Sequence, residues 1–590
     1  MSIRHFLPIL LAGFASNSAF AAPPLPEQFL PSNTAAAIMT NDGAGMLRAW
    51  EKTQFAALAN DPVLQPLIRD VDAQWRRGQV LFGTLGLNWE EIKAVASGPA
   101  AVAFVRPTPE RASLVAVIEC TGKDRARNAV VAKIARNVLL HRGKSWQEQA
   151  FKQPVTAFSV SPTPGAKPVT IYLFTREDLL ILADDLAPIE EVLSRWERGR
   201  ESLRDLPAFR EIRQRCKFAD GKDAHVSWFV DVEATINAAR LWNPPDTPAK
   251  KDAITVLREE GFDGIKAIGG ESRLADGPFD QLSRIAVFAP PPHRRAMAML
   301  KFPNTTLARP EPWVPANVTQ CLVFQWDMRD LVTSMGFLVD RKFGRPGDLV
   351  AVVDALRDDR EGPVVDLRKE IIARLTGQVT MLSDCPGEVP DRGGRLLIAC
   401  DCREEKPLGE ALARLFKGEK RVAVRQVQGI TCWEVARDKV KLPSGAMMEL
   451  PPLAVAVAGN RLMISTHFSF LERILVGSEE SLAKHADFLA VDAELKKLIP
   501  GPSSYQYFSR PSESLRGPYA LSQSGRLERG RTLSAKLFRD SLANAEVTLD
   551  PAKMPPHEKW AQHLKPMGAA VVTAPDGWDL VVFTLKDAKK

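Results

Sequence analysis

Two long stretches of the chain carry the same motifs in the same order, and this repeat constrains the fold more than any other feature. The motif LPSN at 30–33 returns as VPAN at 314–317, and each copy precedes an apolar stretch and then a helical one. Four further pairs keep the order at a nearly constant offset: 113–120 with 395–402, 180–183 with 462–465, 189–193 with 471–475, and 201–209 with 480–488. Two long copies, unlike many short repeats, predict a duplicated domain.

The pattern within each copy predicts an α+β fold. Continuous apolar runs such as LVAVI at 114–118 and AVAVA at 454–458 are typical of buried strands. Helices are predicted between them, at 125–140 in the first copy and at 408–416 in the second. We therefore expect mostly antiparallel sheets with flanking helices on one face, internally duplicated into two related halves.

The repeat also suggests domain boundaries. Each copy is followed by a helix and two apolar runs that predict a β-hairpin, and the Pro-rich stretch 302–315 is the expected hinge between the halves. The resulting division is: signal peptide 1–21, first α+β unit 28–235, first helix-plus-hairpin module 236–302, linker 303–315, second α+β unit 316–510, and C-terminal helix-plus-hairpin module 511–590.

The first 21 residues have the three parts of a secretory signal. Arg4 and His5 form a short basic head, Phe6–Phe14 forms an apolar core, and Ala19-Phe20-Ala21 is a small-x-small cleavage motif. A membrane-spanning helix needs about 20 apolar residues, which this core lacks. We expect cleavage between Ala21 and Ala22, a soluble product without membrane span or lipid anchor, and a periplasmic or secreted location.

Composition is that of a globular protein, with 45% hydrophobic and 25% charged residues. A formal net charge of +7 over 590 residues is mild and does not indicate a nucleic-acid partner. The densest basic stretch, 510–539, is expected to be a solvated connection, with contact to an acidic surface as the alternative. The seven cysteines are sparse and several lie in apolar runs, so free buried thiols are expected.

Familiar site motifs are incomplete in this chain. Gly143-Lys144-Ser145 lacks the earlier glycine of a phosphate loop. His557 and His563 are six residues apart and so lie on different faces of a helix, unlike the i, i+4 pair of a zinc helix. Cys400 and Cys402 share a strand face without the further ligands of a metal site. We assign no catalytic, metal-binding or cofactor-binding residue and expect no cofactor.

Other reactive residues have simpler explanations. Ser481 and Lys484 form an isolated Ser-x-x-Lys whose lysine is absent from the repeat partner, and Glu190 and Glu472 coincide across the copies at positions typical of a wet helix face. The 12 tryptophans, among them Trp326 and Trp578, are expected mainly in cores, with a carbohydrate or peptide groove as the alternative.

Three passages together resemble a known family. They are the motif at 30–33 with its continuations WEKT at 50–53 and LANDP at 58–62, the pair 264–270 and 277–290, and the stretch 554–564. The chain resembles exported proteins of unknown function from planctomycete-like bacteria, known only as a domain of unknown function. This resemblance implies export and a repeated α+β architecture, and it implies no activity.

Two functional hypotheses follow. The first is a non-catalytic envelope or secreted protein that binds or scaffolds an unknown envelope protein or polymer in the cleft between its halves. The second is an extracytoplasmic hydrolase whose active site is dispersed along the sequence.

Overall fold

The computed structural model describes residues 23–78, 85–161, 168–242, 253–306, 310–343, 345–358, 362–385, 394–441, 447–450, 452–478, 480–530, 533–544 and 547–587. The predicted signal peptide, with Ala21 and Ala22, lies outside these residues. In the described part of the chain, no helix has both the length and the apolar character needed to cross a membrane.

The strands include several that follow the predicted apolar runs, among them those at Arg111–Glu119 and Leu453–Ala458. They are β1 Thr34–Thr40, β2 Ala100–Thr108, β3 Arg111–Glu119, β4 Lys144–Ala150, β5 Gln153–Val160, β6 Val169–Thr175, β7 Leu179–Ala183, β8 Val226–Asp231, β9 Ala267–Leu274, β10 Phe279–Phe288, β11 Gln320–Gln325, β12 Leu375–Asp384, β13 Arg395–Cys402, β14 Val422–Val427, β15 Ile430–Val435, β16 Asp438–Lys441, β17 Met447–Leu450, β18 Leu453–Ala458, β19 Arg461–Ser465, β20 Tyr505–Ser509, β21 Met567–Ala574 and β22 Gly577–Leu585.

The helices include those expected at 125–140 and 408–416, with ends shifted by a few residues. They are α1 Pro26–Phe29, α2 Gly43–Trp50, α3 Gln54–Asn60, α4 Gln65–Gly78, α5 Trp89–Val95, α6 Asp124–Leu140, α7 Leu186–Arg198, α8 Pro207–Cys216, α9 Val232–Trp242, α10 Ala253–Glu259, α11 Leu331–Phe343, α12 Asp348–Asp358, α13 Glu405–Leu415, α14 Phe468–Val476, α15 Ala486–Leu498, α16 Pro511–Ser514, α17 Arg516–Gln523, α18 Leu533–Asn544 and α19 His557–Ala561.

The fold is α+β, with one 20-stranded sheet and a separate β16–β17 hairpin. In the first half the strands lie in the order β4-β5-β6-β7-β3-β2-β1-β8-β9-β10. In the second half the order is β14-β15-β18-β19-β13-β12-β11-β20-β21-β22. Each of these neighbouring pairs is antiparallel, so the prediction of mostly antiparallel sheets is confirmed.

The two halves join through their last strands. β10 and β22 pair antiparallel over their whole length, from Phe279 opposite Leu585 to Phe288 opposite Gly577. We call this pairing the seam. When the predicted repeat is used to match the strand registers of the two halves, Arg284 is matched with Val581, and these two residues also lie opposite each other in the seam. The seam therefore has the self-complementary geometry of a twofold contact between two subunits.

Several matched contacts accompany the shared strand order. The Leu203 N–H donates to the carbonyl oxygen of Leu30 at 2.9 Å, and the Leu482 N–H donates to that of Val314 at 2.9 Å. Pro31 bridges to Ser202 as Pro315 bridges to Ser481. A duplication would produce this agreement; the duplication itself stays a prediction.

Helices cover both faces of each half, so the expectation of helices on one face was wrong. Val115 and Val117 of β3 pack against α7 and α8, whereas Ala116 and Ile118 face the opposite core, which contains α6. The second half is built in the same way, with α14 and α15 on one face and α13 on the other. Strands buried on both faces have continuous apolar runs, so the runs at 114–118 and 454–458 agree with this two-sided cover.

Local signals fix the ends of these helices. Asp185 precedes α7 and its carboxylate accepts the N–H of Ala187, which supplies a partner to a free amide of the first turn. Gly199 ends α7 with a φ of +58°, a left-handed conformation that suits glycine. Between them, Ile189, Val192 and Leu193 are buried against the sheet.

The predicted hinge does not separate two independent bodies. Because the seam is a continuous ladder of backbone hydrogen bonds, rotation about the stretch 302–315 would break it. The start of this stretch is also bound to the second half. The Asn304 side-chain amide donates to the carbonyl oxygen of Thr573 and accepts the Thr573 N–H, and Thr305 forms a β-bridge with Ser503. The predicted hairpins are β9–β10 and β21–β22. Their second strands, β10 and β22, form the seam.

Candidate functional site

A cavity of about 850 Å³ lies beside one end of the seam. One wall comes from the β21–β22 turn and from the segment that follows β10. The other comes from the end of β11, the start of β12 and the residue after β13. Distant parts of the chain thus meet here because the sheet places their ends side by side.

Trp578 forms the wall on the seam side. It follows Gly577, whose φ of +132° and close approach to the carbonyl oxygen of Val287 leave no room for a Cβ. The His293 ring stacks on the indole with ring centroids 5.5 Å apart, and His293 Nε2 lies 2.9 Å from the carbonyl oxygen of Ala289. The tight turn therefore holds two stacked rings at the edge of the cavity.

The opposite wall is also aromatic. Trp326 lies just after β11 and within 6.3 Å of the rings of Phe302 and Phe324. The Trp326 indole N–H donates to the carbonyl oxygen of Met299 at 2.8 Å, so its orientation is fixed by backbone. Gly377 has a φ of +92° and lies close to Trp326, and the backbone carbonyl oxygen of Gly377 accepts the backbone N–H of Trp326.

The charges around the cavity are mainly positive. Three of the cations have carboxylate partners: Lys301 with Asp330, Arg329 with Asp327, and Arg368 with Asp354. The fourth, Arg403, is exposed, and its side chain has no hydrogen bond or ion pair to the residues that the structure describes. Asp327 is the one carboxylate among the lining residues.

Asp327 is held in its charged form. The Arg329 side chain donates to it from Nε at 2.8 Å, and this hydrogen bond lowers the pKa of Asp327 to about 2. A carboxyl group with such a pKa stays ionised near neutral pH and is poorly suited to donate a proton. Asp327 thus neutralises Arg329 and leaves Arg403 as the unpaired charge.

Trp578 also has an unused donor. The residue is 8% exposed, and its indole N–H has no hydrogen-bond partner in the described part of the protein. Buried N–H groups are nearly always paired, because an unpaired one loses its bonds to water without replacement. The donor atom is closed to solvent, so it does not open onto the cavity, and the indole N–H groups of Trp313 and Trp560 are buried and unpaired in the same way.

The cavity brings together two of the tryptophans that the sequence singled out. Trp326 and Trp578 both line the cavity, as the groove alternative predicts, and both also pack against hydrophobic cores, as the main prediction had it. Arg403 gave no sequence signal, because a lone arginine after a strand is ordinary on a protein surface.

The cysteines are free, as predicted. None of the seven forms a disulfide, and all except Cys385 are buried. Cys400 and Cys402 lie in the core beside α13, and burial raises the pKa of Cys400 to about 12. Among the described residues there is no cluster of three or more His, Cys, Asp or Glu that could hold a metal ion.

The two C-terminal histidines lie apart. His557 is buried against the rings of Tyr519 and Trp560, whereas His563 Nε2 lies 3.1 Å from Asp61. Burial lowers the pKa of His557. The two side chains therefore lie in different environments, but not as two faces of one helix, because α19 ends at Ala561 and His563 lies beyond it.

The remaining motif residues have structural places. Glu190 and Glu472 are exposed on α7 and α14, which confirms the wet-face prediction. Ser481 accepts the N–H of Ala483 at 3.3 Å, and Lys484 is exposed. Gly143-Lys144-Ser145 leads into β4 and not into a helix.

The basic stretch 510–539 is not the solvated connection that we expected. It contains α16, α17 and part of α18, and Tyr519 and Leu521 within it are buried. Arg510 is also structural: it donates to Asp487 at 2.9 Å and to the carbonyl oxygens of Ala316 and Val318. Arginines of this stretch thus stabilise the fold and are not simply a free basic surface.

Comparisons with known proteins identify no relative: no family model, no curated protein and no solved structure matches this chain. The resemblance to exported planctomycete-type proteins therefore stays a prediction.

Proposed function

We propose that this chain is an exported, non-catalytic binding protein whose ligand occupies the cavity beside the seam. The observation that carries the proposal is the cavity itself, with aromatic residues in its lining and a guanidinium at Arg403 that has no partner among the described residues. Its volume lies within the range of about 300–1,000 Å³ that is typical of small-molecule sites. An apolar pocket with a few converging polar groups is the usual form of such a site.

The chemistry of the lining favours binding over hydrolysis. General acid–base catalysis uses groups that exchange protons near neutral pH. Among the lining residues, Asp327 is kept ionised by Arg329, and His293 has its Nε2 against the carbonyl oxygen of Ala289. The hydrolase hypothesis therefore has less support at this cavity than the binding hypothesis.

The proposal predicts that filling the cavity abolishes binding. Ala373 lines the cavity and is exposed, so Ala373→Trp adds bulk there without disturbing a core. Purified protein is first incubated with a small-molecule extract of the cell envelope, and bound species are identified by native mass spectrometry. We expect the ligand mass on the unmodified chain and its loss in Ala373→Trp.

The matched control is Ala57→Trp, an exposed position on α3 that does not line the cavity. It should keep the ligand. A ligand at 100 times its dissociation constant stabilises the folded state by about 2.7 kcal/mol, so thermal unfolding gives a second measurement. Binding that is equal in all three proteins would refute the proposed site.

The export part of the proposal rests on the sequence pattern of residues 1–21. Expression in a Gram-negative host should give a periplasmic or secreted product whose N-terminus is Ala22, measured by intact mass. A cytoplasmic product that retains residues 1–21 would contradict it.

A further inference from the structure

The cavity pairs aromatic walls with a surplus of positive charge. Four cations and one carboxylate line it, and three of the cations already have carboxylate partners. This leaves the Arg403 guanidinium, on the segment just after β13, as the group able to take a new anionic partner. A guanidinium binds planar oxyanions through two parallel hydrogen bonds, which gives both affinity and orientation.

The aromatic walls define the rest of the ligand. Trp578, stacked with His293, lies in one part of the lining, and Trp326, beside Phe302, lies in another. Aromatic side chains of this kind stack well on planar rings.

A cationic ligand would find little to bind here. Asp327 is the single carboxylate of the lining, and its oxygens already accept the Arg329 guanidinium. The donor that remains is the Arg403 guanidinium, which calls for acceptor atoms.

We infer that the cavity binds a small molecule made of a planar apolar ring system that carries a carboxylate or another oxyanion, with Arg403 as the anion anchor and the rings of Trp326 and Trp578 as the walls. This inference rests on the proposed binding function and specifies its ligand class.

The test uses three probes with the mature full-length protein: 2-naphthoate, which has ring and anion; 2-naphthalenemethanol, which has the ring alone; and acetate, which has the anion alone. Isothermal titration calorimetry measures each dissociation constant at low salt. We expect 2-naphthoate to bind at least about tenfold more tightly than either of the others, since a hydrogen bond to a charged group contributes about that factor.

Two substitutions assign the anchor. Arg403→Gln should remove the advantage of 2-naphthoate over 2-naphthalenemethanol and leave binding of the alcohol unchanged, whereas Arg403→Lys should restore part of it, because a lysine keeps the charge and loses the planar fork. The control is Arg125→Gln, an exposed arginine on α6 outside the cavity lining, which should bind like the unmodified chain. Added salt should weaken 2-naphthoate binding more than alcohol binding.

The outcomes separate this inference from the proposed function. Equal binding of 2-naphthoate and 2-naphthalenemethanol, or tighter binding of the acid that survives Arg403→Gln, would overturn the ligand class. If Ala373→Trp still blocked that binding, the proposed binding function of the cavity would stand. Failure of all three probes would also overturn the ligand class. Probe binding that Ala373→Trp leaves intact would place the ligand elsewhere and refute the proposed function itself.

Discussion

Removal of one ring at the seam should destabilise both halves together. Phe583 of β22 is 1% exposed, lies opposite Leu282 of β10 and has its ring centroid 5.1 Å from that of Phe279. Its ring covers Gly568, where a Cβ would lie only 2.6 Å from the ring carbon Cζ. Phe583→Ala would therefore empty a space between the halves, and Gly568 has no side chain that could move into it.

The magnitude follows from this burial. Replacement of a buried phenylalanine by alanine costs about 3–5 kcal/mol, because transfer free energy is lost and a cavity remains. At about 1.4 kcal/mol per factor of ten, the ratio of unfolded to folded protein rises between about 10²-fold and about 5 × 10³-fold. We expect a value in this range from urea unfolding followed by far-UV circular dichroism.

Hydrogen exchange then locates the effect. Since β10 and β22 share one ladder, amides of β9 and β10 in the first half should exchange faster, as well as those of β21 and β22. The control, Phe55→Ala on α3, removes a ring that is 40% exposed and should cost less than about 1 kcal/mol. A loss below about 1 kcal/mol for Phe583→Ala, or faster exchange confined to the second half, would refute the reasoning.

Two further predictions concern buried polar groups. Burial raises the pKa of Asp184, so its negative charge lowers the stability of the folded state above that pKa, and this loss disappears as pH falls below the unfolded value of about 3.9. Asp184→Asn can still accept the Leu114 N–H, so it should stabilise the chain at pH 7 and lose that advantage near pH 4. Urea titrations at both pH values measure the difference. The second concerns the thiols: burial raises the pKa of Cys120 to about 11 and that of Cys216 to about 12, and Cys385 is the one cysteine that is not buried. In the native protein Cys385 alone should therefore react quickly with a disulfide reagent, whereas all seven cysteines should react after denaturation. Rapid labelling of several native thiols would contradict the burial described above.

Local patterns made the strands and helices of each half predictable. The run at 114–118 became β3, and the repeat partners at 180–183 and 462–465 became β7 and β19. These elements are specified by neighbours in sequence, through apolar runs and capping residues such as Asp185. The same continuous runs also indicated cover on both faces, since a strand with one face in solvent alternates apolar and polar residues, so the expectation of helices on one face did not follow from them.

The seam and the cavity depend on contacts between distant residues. Phe279 and Leu585 are far apart in sequence, and nothing in either strand marks the other as its partner. The cavity walls likewise come from five separate stretches, so Trp326 and Trp578 were visible as aromatic residues while their common site was not. For the same reason the Pro-rich stretch 302–315 looked like a hinge, because its sequence does not reveal the ladder that runs beside it.

The seam also has a kinetic consequence for whatever enters the cavity. Two-lobed binding proteins commonly close around a ligand by rotating about a hinge, and that step limits how fast the complex forms and separates. Here the Ala289 N–H donates to the carbonyl oxygen of Asp576 at 2.8 Å, so the segment after β10 is fixed to the turn that carries Trp578. A site with such walls is preformed, and its observed association rate should rise linearly with ligand concentration instead of reaching a plateau set by closure.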